Sequence, residues 1–93
     1  MTDKVRASVV VSGKVQGVFF RAETKKAAAR HGVFGWVKNN SDGTVEAIFE
    51  GDEDDVKAVI EWCRQGPPRS RVKDVTVIYE DYSGKFKDFD IAY

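Results

Sequence analysis

Ninety-three residues suffice for one hydrophobic core and are too few for a second domain with its own interior, so residues 1–93 are expected to form a single domain. Hydrophobic residues at 42% and charged residues at 32% are ordinary for a chain that folds in water, and no apolar run reaches the roughly 20 residues of a membrane-crossing helix. The formal charge of zero divides unevenly: residues 1–38 hold eight Lys or Arg against two acids, and residues 39–93 hold seven against thirteen. The basic half favours a small anionic ligand, whereas a nucleic-acid binder would carry a net basic surface.

Met1-Thr2-Asp3-Lys4 lacks the apolar core of a secretion signal, and the single cysteine, Cys63, has no intrachain partner. Both fit a reducing cytoplasm. From Val5 to Ser12, Val5, Ala7, Val9 and Val11 alternate with Arg6, Ser8, Val10 and Ser12, which predicts a strand with one buried face. Arg21 to His31 favours helix, with Phe20, Thr24, Ala27, Ala28 and His31 on one face and Gly32 as the stop. Phe34–Asn39 and Thr44–Glu50 flank the polar turn Asn40-Ser41-Asp42-Gly43, a hairpin pattern.

Gly51-Asp52-Glu53-Asp54-Asp55 opens a second helix, with Asp52 placed to cap it and the acids at its positive end. The ligand spacing and glycine of a calcium loop are missing, so no metal site is expected there. Val56, Val59, Ile60 and Cys63 form this helix's buried stripe, and Gly66-Pro67-Pro68 ends it. Val72–Asp81 is another alternating run, and Phe86–Tyr93 a final short strand with Phe89, Ile91 and Tyr93 on one face. The order is that of two split βαβ units: an α+β, ferredoxin-like βαββαβ sandwich, its antiparallel sheet carrying both helices on one face, with a short C-terminal strand added. In that topology the first two strands run the same way with the third between them, and their C-terminal ends lie about 10 Å apart on one edge.

The loop after the first strand, Ser12-Gly13-Lys14-Val15-Gln16-Gly17-Val18-Phe19-Phe20-Arg21, leads straight into a helix N-terminus, where backbone N–H groups lack internal partners and attract anions. Gly13 and Gly17 permit turns that a Cβ opposes, so the N–H groups of Val15, Gln16, Gly17, Val18, Phe19 and Phe20 can curl into a nest for a phosphate. Arg21 would add a planar fork that pairs two phosphate oxygens. Taken alone, the loop also fits a plain strand-to-helix connection with an exposed arginine. It lacks the G-K-[ST] ending of a nucleotide P-loop, which argues against a magnesium triphosphate. Asn39 falls at the end of the second strand, on the same edge; alone it suits turn chemistry, but a carboxamide beside a bound phosphate can hold a water in line for attack.

At these residues the chain resembles the acylphosphatases. Gly13 to Arg21 is similar to the family's first signature, and Gly35-Trp36-Val37-Lys38-Asn39 with Gly43, Val45 and Gly51 to its second, in the same order along a chain of matching length. The resemblance implies a metal-independent hydrolase without cofactor. It would cleave the carboxyl-phosphate bond of small acyl phosphates to a carboxylate and inorganic phosphate. It puts phosphate binding on Arg21 and the loop from Val15 to Phe20, and water orientation on Asn39. With no general base evident, positioning and charge stabilisation would carry the reaction of so reactive an anhydride. A monomer is expected, with no nucleic-acid or membrane partner.

Other readings remain beside this one. Cys63 to Arg69, "CRQGPPR", has the C-x5-R spacing of cysteine phosphatases, but the cysteine sits on a buried stripe and two prolines supply no N–H. His31, at the last helical turn, suits packing or dipole compensation. Trp36 and Trp62 read as packing residues, and Lys14, Lys38 and Gln16 flank the proposed site, where they would tune an anion's approach. An RNA-binding module shares the order of elements, but Arg6, Ser8, Ser12, Thr44, Glu46, Glu50, Asp74, Thr76 and Glu80 on the outer sheet face would offer no aromatic platform. A non-catalytic domain that kept the anion pocket also stays open.

Overall fold

The computed structural model describes residues 3–93; Met1 and Thr2, on which part of the reading of the N-terminus rests, lie outside the described residues. Five strands and two helices follow in the order β1 (Lys4–Lys14), α1 (Phe20–His31), β2 (Phe34–Asn39), β3 (Val45–Asp52), α2 (Glu53–Gln65), β4 (Arg71–Glu80) and β5 (Phe89–Ile91). β1 buries Ala7, Val9 and Val11 at period two, against helices that bury Phe20, Thr24, Ala27 and Ala28 on α1 and Val56, Val59, Ile60 and Cys63 on α2. Both apolar stripes are those expected from spacing. The small alanines bring α1 close to β2 and β5, while α2 lies over β1, β3 and β4.

The sheet order is β4-β1-β3-β2-β5, antiparallel across the first four strands, so β1 and β2 run the same way on either side of β3. The β2–β3 hairpin closes with Asn40 N–H on Thr44 C=O at 2.8 Å and the Thr44 hydroxyl on Asp42 Oδ1 at 2.7 Å. The C-terminal ends of β1 and β2 therefore open on one edge, as expected. The ferredoxin-like α+β fold is present, with one feature beyond the antiparallel sheet: β5 pairs with β2 in parallel, Gly35 opposite Phe89 and Val37 opposite Ile91.

Three expectations are corrected. The last strand is three residues long rather than Phe86–Tyr93, because the chain must first cross from β4 at one edge of the sheet to β2 near the other. Tyr93 lies past the strand and is fully exposed. Asp52 occupies the cap position of α2 but makes no side-chain cap bond; its carboxylate receives Lys4 Nζ at 2.7 Å. Glu50, expected on the open face, is 2% exposed. Its carboxylate accepts from Ser83 N–H at 2.9 Å, the Ser83 hydroxyl at 2.8 Å, Gly84 N–H at 3.1 Å and Arg6 Nη1 at 3.3 Å. Burial acts to raise the Glu50 pKa, yet the bonds from Ser83, Arg6 and Gly84 together hold it below the usual carboxylate value. That clamp pins the β4–β5 crossover under the sheet, with Phe86 5.7 Å from the Arg6 guanidinium.

Candidate active site

β1 ends in a bulge that turns the chain toward α1. Its register with β4 slips between Ser12 and Gly13, and Gly13 takes φ 116°, where a Cβ would run into the Arg71 carbonyl. Val15, Val18 and Phe20 are buried and anchor the connecting loop in the core. Between them Gly17, at φ 73°, and Phe19, at φ 64°, take left-handed conformations. Phe19 is the one non-glycine residue with positive φ among the described residues. Such reversals allow consecutive N–H groups to turn toward one side of the chain.

No amide from Val15 to Ala22 donates a hydrogen bond to any acceptor among the described residues; the first bond of α1 runs from Glu23 N–H to Phe19 C=O at 3.0 Å. Several unpartnered N–H groups thus lie at the positive end of a twelve-residue helix. The cavity in front of them is about 270 Å³, sized for a small ligand, and its lining includes Val15, Gly17, Phe20, Arg21, Asn39 and Tyr93. Arg21 is half-buried, makes no ion pair among the described residues, and lies 5.5 Å from the Tyr93 ring. It is the sole charged side chain lining the cavity, so its positive charge is not neutralised locally.

Asn39 closes the cavity from the end of β2. Its Oδ1 is buried and has no hydrogen-bond partner among the described residues. Such an orphaned acceptor costs about 1–3 kcal/mol and is rare in a folded protein.

Of the residues expected to bind phosphate, Val15, Gly17, Phe19, Phe20 and Arg21 line the cavity together with Asn39, while Gln16 and Val18 do not. The Val18 side chain packs inward. Gln16 Nε2 instead donates to Asn40 C=O at 2.8 Å and Thr44 C=O at 2.9 Å, tying the loop to the hairpin that carries Asn39. Lys14 and Lys38 are not among the lining residues; Lys38 Nζ lies 5.5 Å from the Trp36 ring. Sequence reasoning missed Ile91 and Tyr93, which β5 delivers to the site by running parallel to β2.

Neither decoy reaches the cavity. Cys63 is 1% exposed, and burial pushes its thiol up to about 12 despite the nearby Arg64 and a contact with the Thr24 hydroxyl. His31 Nδ1 stands 3.8 Å from Asp55 Oδ1, joining the end of α1 to the start of α2. Among the described residues no three His, Cys, Asp or Glu are grouped as metal ligands, and no helix is long and apolar enough to cross a membrane.

Comparison with known proteins shows the family. A family model described as acylphosphatase matches residues 7–91. An acylphosphatase of Pelotomaculum thermopropionicum is 53% identical over 90 residues, spanning 97% of this chain and 98% of its own. One of Pyrobaculum aerophilum is 57% identical over 90 residues, 96% of this chain and 95% of that one. The structure of an acylphosphatase from Coxiella burnetii superposes with a TM-score of 0.92 at 38% identity, covering 97% of this chain and 94% of the other. The chain belongs to the acylphosphatase family and is an enzyme of that family.

Proposed function

We propose that this enzyme hydrolyses the carboxyl-phosphate bond of small acyl phosphates such as acetyl phosphate, without a metal ion, using Arg21, the loop amides and Asn39. The observation that carries the proposal is the run of unpartnered N–H groups from Val15 to Ala22 beside Arg21, which has no ion pair among the described residues, in a cavity that Asn39 also lines. Amides among Val15, Gly17, Phe19 and Phe20 hold the phosphoryl oxygens, and the Arg21 guanidinium pairs with two of them. Bound this way, the group meets fixed dipoles that need no reorganisation as charge develops.

Asn39 positions the attacking water. The torsion that turns a carboxamide is soft, so rotation about Cβ–Cγ brings Oδ1 to the cavity side to accept a hydrogen bond from the water. The water oxygen then forms a bond to phosphorus, the bond from phosphorus to the acyl oxygen breaks, and the carboxylate departs with that electron pair. A phosphoryl oxygen takes the water's proton, which accounts for a cavity lining without His, Asp or Glu side chains. The products are a carboxylate and inorganic phosphate. A cytoplasmic, monomeric enzyme belongs to the same proposal: its one thiol is buried, and every group named comes from one chain.

Hydrolysis of acetyl phosphate in excess chelator, with a phosphomonoester as control, tests this reading. Cleavage of the acyl phosphate alone, with competitive inhibition by inorganic phosphate, is expected. Loss of activity in chelator, or equal cleavage of the monoester, would overturn it.

A further inference from the structure

Gln16 belongs to the anion loop, yet its side chain is absent from the cavity lining. Its Nε2 donates instead to Asn40 C=O at 2.8 Å and to Thr44 C=O at 2.9 Å, across 24 and 28 positions of sequence. Both carbonyls already accept a hydrogen bond inside the hairpin: Asn40 C=O from Gly43 N–H at 3.2 Å, and Thr44 C=O from Asn40 N–H at 2.8 Å. The hairpin is therefore closed without Gln16, whose two amide hydrogens fill the second acceptor site of each carbonyl. Two donors in one plane fix direction as well as distance.

β1 and β2 do not pair; β3 lies between them, and its pairing with both stops at Val45, opposite Val11 on one side and Asn39 on the other. Past that point, among the described residues, no hydrogen bond other than those of Gln16 joins the loop of residues 15–19 to the turn of residues 40–44. The amide cradle and Arg21 move with the loop, and Asn39 moves with the hairpin. In-line displacement needs the attacking oxygen aligned with phosphorus and the leaving oxygen, and a misplacement of about 1 Å costs on the order of 10²-fold in rate.

We propose that Gln16 is a positioning residue for the reaction: its two hydrogen bonds hold the hairpin end that carries Asn39 in register with the phosphate-binding loop, so that water on Asn39 is aimed at the bound phosphorus. Gln16 contacts neither phosphate nor the attacking water and acts through Asn39. A neutral amide suits this task, because a lysine donor would add a second charge to a cavity whose charge Arg21 alone supplies. Removing Gln16 therefore costs no more than the roughly 10²-fold expected for loss of Asn39 itself. Val15, Val18 and Phe20 stay buried and keep the cradle in shape, so the loss falls on turnover and spares phosphate binding.

This role rests on acyl phosphate hydrolysis with Asn39 as the water-orienting residue, and its test separates the two. kcat on acetyl phosphate and the inhibition constant of inorganic phosphate are measured for the parent, Gln16→Met, Asn39→Ala and the double variant, with folding followed by circular dichroism. Gln16→Met keeps the length of the side chain and removes both donors. It should lower kcat about tenfold and leave phosphate inhibition within about twofold. In the double variant kcat should match that of Asn39→Ala within about twofold, because no side chain remains to be aimed. Gln16→Asn, whose amide ends one methylene short of the carbonyls, should give the same pattern and serves where the methionine variant does not fold. Parental kcat in the Gln16 variants, a parallel loss of phosphate inhibition, or losses that multiply in the double variant would overturn the positioning role. A parent inactive on acetyl phosphate, or Asn39→Ala with parental kcat, would overturn the hydrolase reading beneath it.

Discussion

Replacing Glu50 by Gln should unfold the enzyme at markedly lower temperature, because the substitution reverses one hydrogen bond inside a buried cluster. Each carboxylate oxygen of Glu50 faces a backbone donor: Oε1 takes Gly84 N–H at 3.1 Å and Oε2 takes Ser83 N–H at 2.9 Å. An amide of the same shape places an NH₂ against one of them, whichever way it turns. Leaving a buried backbone donor unpaired costs about 1–3 kcal/mol, and the bond from Arg6 loses its charge partner. Arg6 is 25% exposed, so solvent limits the second loss, and the sum is about 2–3 kcal/mol. For a domain of this size that lowers Tm by about 10–20 °C.

The pH dependence has a defined sign. The native Glu50 pKa lies below its ordinary 4.5, so its contribution is complete above that value and is lost as pH falls through the native one. Thermal denaturation followed by circular dichroism at pH 7 and at pH 3 reads both effects. Parent and variant should differ widely at pH 7 and converge in acid; equal Tm values at pH 7 would refute the clamp.

Arg21→Lys should weaken inhibition by inorganic phosphate at least about tenfold, on the order of 1.5–3 kcal/mol of charge-assisted bonding, although the charge is unchanged. An unaltered inhibition constant would reject the guanidinium fork. Asn39→Ala should leave phosphate inhibition nearly intact and reduce kcat by about 10²-fold, by analogy with loss of a positioned transition-state group; equal kcat would remove its assigned role. Cys63→Ser should retain activity while losing about 1–3 kcal/mol in urea denaturation, since a hydroxyl replaces a thiol that is 1% exposed. Abolished turnover in the folded variant would revive a cysteine mechanism.

The helices and first four strands were legible because burial repeats at their own periods: Val56, Val59, Ile60 and Cys63 mark α2 as clearly in sequence as in space. That Arg21 and Asn39 would line one cavity was legible because they sit at element ends that the topology brings to one edge. What stayed hidden depends on partners far along the chain. Glu50 reads as an exposed strand residue until Ser83, 33 positions later, folds over it. Gln16 reads as surface until it meets the carbonyls of Asn40 and Thr44. Tyr93 reaches the site only because a strand too short for its own periodic signal pairs in parallel with β2. Phe19 takes a left-handed backbone that its residue type disfavours, so propensity pointed away from it.

A crystal structure of the enzyme with inorganic phosphate bound tests the central claim most directly. The account predicts one tetrahedral anion in the catalytic cavity, within hydrogen-bond distance of amides between Val15 and Phe20 and of two Arg21 nitrogens, with an ordered water between it and Asn39. A phosphate bound elsewhere, or an Arg21 side chain turned away from a cavity left empty at saturating phosphate, would contradict it.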